Sequence, residues 1–117
     1  MKLLIGFAVI GSLFAANDKI TLRHGADCAP TAAALAQVRA ARLKYYGTDD
    51  PAYQPPDTDA AYHAWEKVSG LQVDLNVLTL GPTTAVLIER TTLPTILKVK
   101  PQKENRQCFI WAADAKR

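Results

Sequence analysis

The side chains with which this chain can do chemistry are few: two cysteines, two histidines, eleven carboxylates and, beyond the N-terminal apolar run, one serine. Cys28 and Cys108 lie too far apart for a local redox motif or a zinc knuckle. In an exported chain an even pair reads as a disulfide, which here would tie the segment before the first helix to the last strand. A bonded Cys28 also removes a cysteine–histidine nucleophile. His63 and Glu66 share a helical face at i, i+3 and offer two metal ligands, but no third donor stands at a recognisable spacing. They read as an exposed pair. Asp57 and Asp59, with Asp49 and Asp50, cluster their carboxylates without the twelve-residue calcium-loop pattern. Helix capping and turns account for them. Ser69 has no Gly-x-Ser-x-Gly context, and no glycine-rich phosphate loop exists. The expectation is a protein without catalytic residues, cofactor or metal.

The clearest address is at the start. Lys2 is followed by an uncharged run from Leu3 to Ala16, and Asn17-Asp18-Lys19 ends it. As a helix this run reaches about 21 Å, against a hydrocarbon core of about 30 Å. A basic start, a short apolar stretch and small residues at its end form a secretory signal pattern, with cleavage expected after Ala15. Residues 16–117 then form one globular domain, secreted to the periplasm or cell surface, with no membrane span once the signal is cleaved. A net charge of +3 with scattered basic residues gives no footprint for nucleic acid. Lys98, Lys100 and Lys103 are the densest cluster. Lys98 and Lys100 share one face of a strand.

The elements that position these residues follow from periodicity. Lys19–Arg23 alternates as a short strand, and 24–27 is a turn. Ala32–Tyr46 has no breaker and is rich in strong helix formers, with Pro30 at its first turn and Gly47 suited to the left-handed residue after it. A loop with Pro51, Pro55 and Pro56 follows. Asp57, Thr58 or Asp59 caps a second helix that ends at Ser69, with Gly70 as its stop. Leu71, Val73, Leu75 and Val77 alternate with polar residues and predict a strand, with a bulge or a change of face at Leu78 and Leu80. Thr84–Arg90, Ile96–Lys100 and Arg106–Ala113 predict three more strands, the last placing Phe109 and Trp111 opposite Cys108 and Ile110. The fold class is α+β: a helix or helix pair packed on a four-stranded antiparallel meander, with one disulfide.

The first helix carries an anomaly. Leu35, Val38, Tyr45 and Tyr46 fall in one apolar arc, with Ala32, Ala36, Ala40 and Leu43 in an adjacent stripe. Arg39 and Arg42 lie within or beside that arc. Their stems can cover apolar surface while the heads reach water. The alternative is a partner carboxylate, with Glu66 and Asp59 as candidates, or another protein. Arg39, Arg42, Tyr45, Tyr46 and Tyr53 together form the expected protein interface, since Arg and Tyr are enriched at interface hot spots.

The apolar run Leu3–Ala16, the alanine-rich helix Ala33–Tyr46, the loop from Gly47 through Tyr53 to Pro55, and the strands behind them resemble type IV pilins and pseudopilins. That resemblance implies a helix, a loop and a four-stranded antiparallel sheet, often with a disulfide near the C-terminus. A basic leader ending at a glycine cut site, and the glutamate after it, are missing, and Asn17-Asp18-Lys19 and Gly25 interrupt the long helix of that family. Docking onto a separate filament subunit suits this chain better than insertion as a pilin. The resulting expectation is a small exported protein-binding domain, a structural or accessory subunit of a pilin-like extracellular filament. The alternative is a secreted effector, or an inhibitor or immunity protein acting on an exported enzyme.

Overall fold

The computed structural model describes residues 16–50, 53–90 and 95–116. The expected signal peptide at 1–15, most of the expected turn at 91–95 and Pro51 lie outside the described residues. Strand β1 spans Lys19–Leu22 and β2 Ala26–Cys28; helix α1 spans Ala32–Tyr46 and α2 Asp59–Asp74. They are followed by β3 (Leu78–Leu80), β4 (Thr83–Arg90), β5 (Ile96–Pro101), β6 (Cys108–Trp111), a single 3-10 turn at Ala112–Asp114, and β7 (Ala115–Lys116). The architecture is α+β. Among the described residues no helix is long and apolar enough to cross a membrane.

Both helices start on a threonine. The Thr31 hydroxyl accepts the Ala34 N–H, and the Thr58 hydroxyl accepts the Ala61 N–H, so each supplies one acceptor to the orphan donors of a first turn. Pro30 therefore precedes the cap instead of opening the helix. Helix α1 ends as its sequence predicts: Gly47 sits at φ 76° and donates its N–H to the Leu43 carbonyl.

Helix α2 departs from expectation. It runs through Gly70 to Asp74, and Leu75 closes it. The alternation from Leu71 to Val77 is not a strand. Val68 is buried and Ala61, Leu71 and Leu75 are half-buried, a spacing of three and four residues that continues the helical stripe, whereas Val73 is 79% exposed. Gly70 does not stop the helix, because a single glycine costs about 1 kcal/mol, less than the packing of one more turn returns. The chain turns at Asn76, with φ 57°, and enters β3 directly. No bulge lies at Leu78 and Leu80; the bulge is in β4, between Leu87 and Glu89.

The sheet is also larger than a four-stranded meander. Five strands run in the order β6-β5-β4-β1-β7, every pairing antiparallel, and β2 pairs with β3 in a separate two-stranded sheet. Only β4, β5 and β6 form the meander. Strand β1 joins it from the other end of the chain, with Lys19 opposite Val86 and Leu22 opposite Thr83. Ala26 and Asp27, expected in a turn, form with Cys28 a fully buried strand.

Two apolar clusters hold the layers. Ile20, Leu22, Leu87, Val99 and Ile110 from one face of the large sheet meet Ala26, Cys28 and Leu80 of the small one. Leu35 and Val38 of α1 pack with Ala29, Val77 and Ile96, and with the half-buried Phe109 and Trp111. Strand β6 thus serves both clusters, Cys108 and Ile110 on one face and Phe109 and Trp111 on the other, as its alternation predicts. The Cys28–Cys108 disulfide joins β2 to β6 across a sequence separation of 80, with Cα atoms 5.3 Å apart. Next to it Ala29 and Phe109 exchange both backbone hydrogen bonds, at 3.0 and 2.7 Å.

Candidate protein-binding surface

The expected interface residues separate into two groups. Arg42 belongs to the interior. It is 8% exposed, and its guanidinium grips the Asp27 carboxylate, itself 2% exposed, through two hydrogen bonds, the one from Nη2 to Oδ1 being 2.8 Å long. A planar guanidinium matches both oxygens of a carboxylate, which is why an arginine holds this position. Gln72 of α2 also reaches Asp27 Oδ1, at 3.4 Å, and donates to the Thr79 hydroxyl at 2.8 Å. This network ties β2, α1, α2 and β3 together. Burial pulls the Arg42 pKa down, but the hydrogen bonds and charge of Asp27 outweigh it, so the guanidinium is held firmly protonated. The carboxylate partner of Arg42 is therefore neither Glu66 nor Asp59, and its charge is not presented at the surface. Glu66 lies 3.2 Å from His63 on an exposed face of α2, and Asp59 occupies the first turn of that helix.

Arg39 is at the surface, with its side chain 46% exposed. Its Nε lies 2.7 Å from Asp49 Oδ2 in an ion pair, and its guanidinium carbon lies 4.9 Å from the centroid of the Trp111 ring. A cation over an indole face is attracted by the ring quadrupole, and a guanidinium held there is ready to meet a partner at little entropic cost. Tyr46 extends the same helical stripe beyond Leu43. Its ring packs on that of Tyr53, with centroids 5.3 Å apart. Tyr53 and Tyr45 are both 39% exposed, and Leu43 is 48% exposed. Tyr45 lies on the buried arc by angle, but it falls past the end of the core, with Lys44 5.2 Å above its ring.

The loop after α1 is anchored on both sides. Thr48 Oγ1 accepts the Asp50 N–H at 3.1 Å, the Asp50 carbonyl accepts the Tyr53 N–H at 3.0 Å, and Arg23 donates to Asp50 Oδ1 at 3.2 Å. Behind it, burial raises the Asp114 pKa, opposed by the positive charge of Arg23 and reinforced by Asp27. Burial likewise raises the Tyr46 phenol.

The chemistry-bearing residues stay apart. Both cysteines are in the disulfide, His24 is in the exposed turn between β1 and β2, and His63 is on the outer face of α2. Among the described residues no group of three or more His, Cys, Asp or Glu side chains is arranged to hold a metal ion.

Sequence reasoning missed Asp27 as the partner of Arg42, Gln72 as a second donor to that carboxylate, and Trp111 as the ring that Arg39 covers. Asp27 had one usable signal, an isolated acid between Ala26 and Cys28 in a segment that the disulfide must bury. Comparison with protein-family models, with curated proteins and with solved structures found no match.

Proposed function

We propose that this is a small exported, non-catalytic protein-binding domain, acting as a structural or accessory subunit of a pilin-like extracellular filament. The observation that carries the binding role is the cluster of Arg39, Asp49 and Trp111 beside the Tyr46–Tyr53 pair. Arg, Tyr and Trp are the residue types that dominate binding hot spots, and here they are half-exposed and already held in place by neighbours. The disulfide supports an oxidising compartment, and the uncharged N-terminal run supports export. The filament assignment rests on the order of a helix, a loop and an antiparallel meander closing on a disulfide.

The test uses the native host. The protein should co-fractionate with sheared surface fibres and be crosslinked to a filament subunit. Arg39→Ala and Tyr53→Ala should leave the melting temperature of the free protein unchanged and weaken that complex about tenfold or more, a loss of about 1.4 kcal/mol or more. Capture of an exported enzyme with loss of its activity would favour the inhibitor or immunity reading instead. Unchanged binding by both variants would place the interface elsewhere.

A further inference from the structure

Helix α2 rests on α1, and its opposite face is left to solvent. On that face Tyr62 is 57% and Trp65 48% exposed, their rings stacked with centroids 5.7 Å apart. Asp59 and Glu66, both exposed, flank Tyr62 on the same stripe, Glu66 with the exposed His63 ring 3.2 Å away. Lys67 points off to one side of it.

The large sheet carries the complementary arrangement. Lys19 on β1, Val86 on β4 and Lys100 on β5 are cross-strand neighbours in one row, so all three stand on the sheet face away from the first apolar cluster. Both lysines are exposed and Val86 is half-buried. Lys98, further along β5, is already engaged by Glu89 at 3.6 Å.

The spacings match. Lys19 and Lys100 are separated by two strand intervals, roughly 9.6 Å. Asp59 and Glu66 are separated by two helical turns, about 10.5 Å. A helix laid across β1, β4 and β5 would set one carboxylate on each lysine and Tyr62 with Trp65 on Val86. Helix α2 cannot fold back onto that face in its own molecule, because it is held on α1 and by the Gln72 hydrogen bonds.

We infer that the acidic aromatic face of α2 docks on the lysine-flanked face of the sheet of a second copy of this chain. The two faces belong to different elements, so the contact is heterologous. Repeating it extends a head-to-tail row, open or closed into a ring according to the rotation per step. This surface is distinct from the Arg39–Tyr53 cluster, which stays available to another partner.

Sedimentation velocity over a concentration series tests the contact. The wild-type protein should show a sedimentation coefficient that rises with concentration, and the association should weaken as salt screens the exposed charges. Glu66→Lys alone and Lys100→Glu alone should each weaken it about fivefold or more, whereas an equimolar mixture of the two variants should restore it, because every α2 face then meets a sheet face of opposite charge. Trp65→Ala should weaken it without a charge change. Wild-type protein that stays monomeric throughout the series would overturn the proposal, as would a mixture no stronger than its components. Loss of the filament complex in the Arg39 and Tyr53 variants bears only on the other surface.

Discussion

Arg42 and Asp27 form a two-pronged ion pair between the middle of a surface helix and a strand that is buried along its whole length. Each residue is on an element that would otherwise be wholly apolar at that point. The pair therefore sets the register of α1 against β2, and Gln72 extends the same constraint to α2. Breaking such a pair costs far more than deleting it, because the residue left behind is a buried charge without a counterion. Arg42→Ala and Asp27→Ala should each lower stability by about 3–5 kcal/mol in urea unfolding with the disulfide intact. Replacing both residues by apolar ones of similar volume should recover most of that loss. Two single variants that each cost under about 1 kcal/mol would show that water reaches the pair and screens it.

The disulfide closes a long loop between two buried cysteines. Native protein, unfolded without reductant and treated with an alkylating agent, should gain no mass at cysteine. Its reduction, or a double Cys28→Ala and Cys108→Ala substitution, should cost roughly 4–5 kcal/mol by the loop-entropy argument. Because β2 also carries Asp27, loss of the bond should loosen α1 as well as β6, visible as faster amide exchange in both.

Gly70 lies inside α2, and a Cβ placed there meets nothing within 4 Å. Gly70→Ala should raise stability by about 0.5–1 kcal/mol, the difference in helix propensity. A glycine acting as a left-handed helix stop would respond in the opposite direction, so the sign of the change in chemical denaturation distinguishes the long helix from the shorter one the sequence suggests.

Asp114 has a pKa raised by burial, against the pull of Arg23. A carboxyl whose folded pKa lies above its unfolded one binds protons more tightly when folded. Its contribution is therefore unfavourable at pH values above the folded pKa and fades as pH falls through the folded pKa toward the unfolded one. Asp114→Asn should raise the melting temperature slightly at neutral pH, and the gap to wild type should close under acid conditions. An unchanged gap across that range would mean that ionisation is not the cause.

The sequence alone determined whatever depends on neighbours along the chain. Thr58 was among three candidate caps, and the bounds of α1, its Gly47 stop, the two faces of β6 and the strand character of β1, β4 and β5 are all short-range consequences of hydrogen-bonding capacity, φ preference and periodicity. The disulfide was legible because two cysteines allow one pairing and the apolar N-terminal run predicts export. Over 71–77 the local signal misled: four alternating apolar residues fit a strand on paper, but Leu71 and Leu75 also fit the stripe of Val68, and packing on α1 decided between the two. Tertiary structure alone decided that β1 joins β4, that β2 and β3 form their own small sheet, and that Arg42 turns inward to Asp27 while Arg39 turns outward to Asp49 and Trp111. Those choices are made by contacts between residues distant in sequence. One arginine offers the same fork as another, and which carboxylate or ring it meets is set by how β2 and β6 are brought under α1.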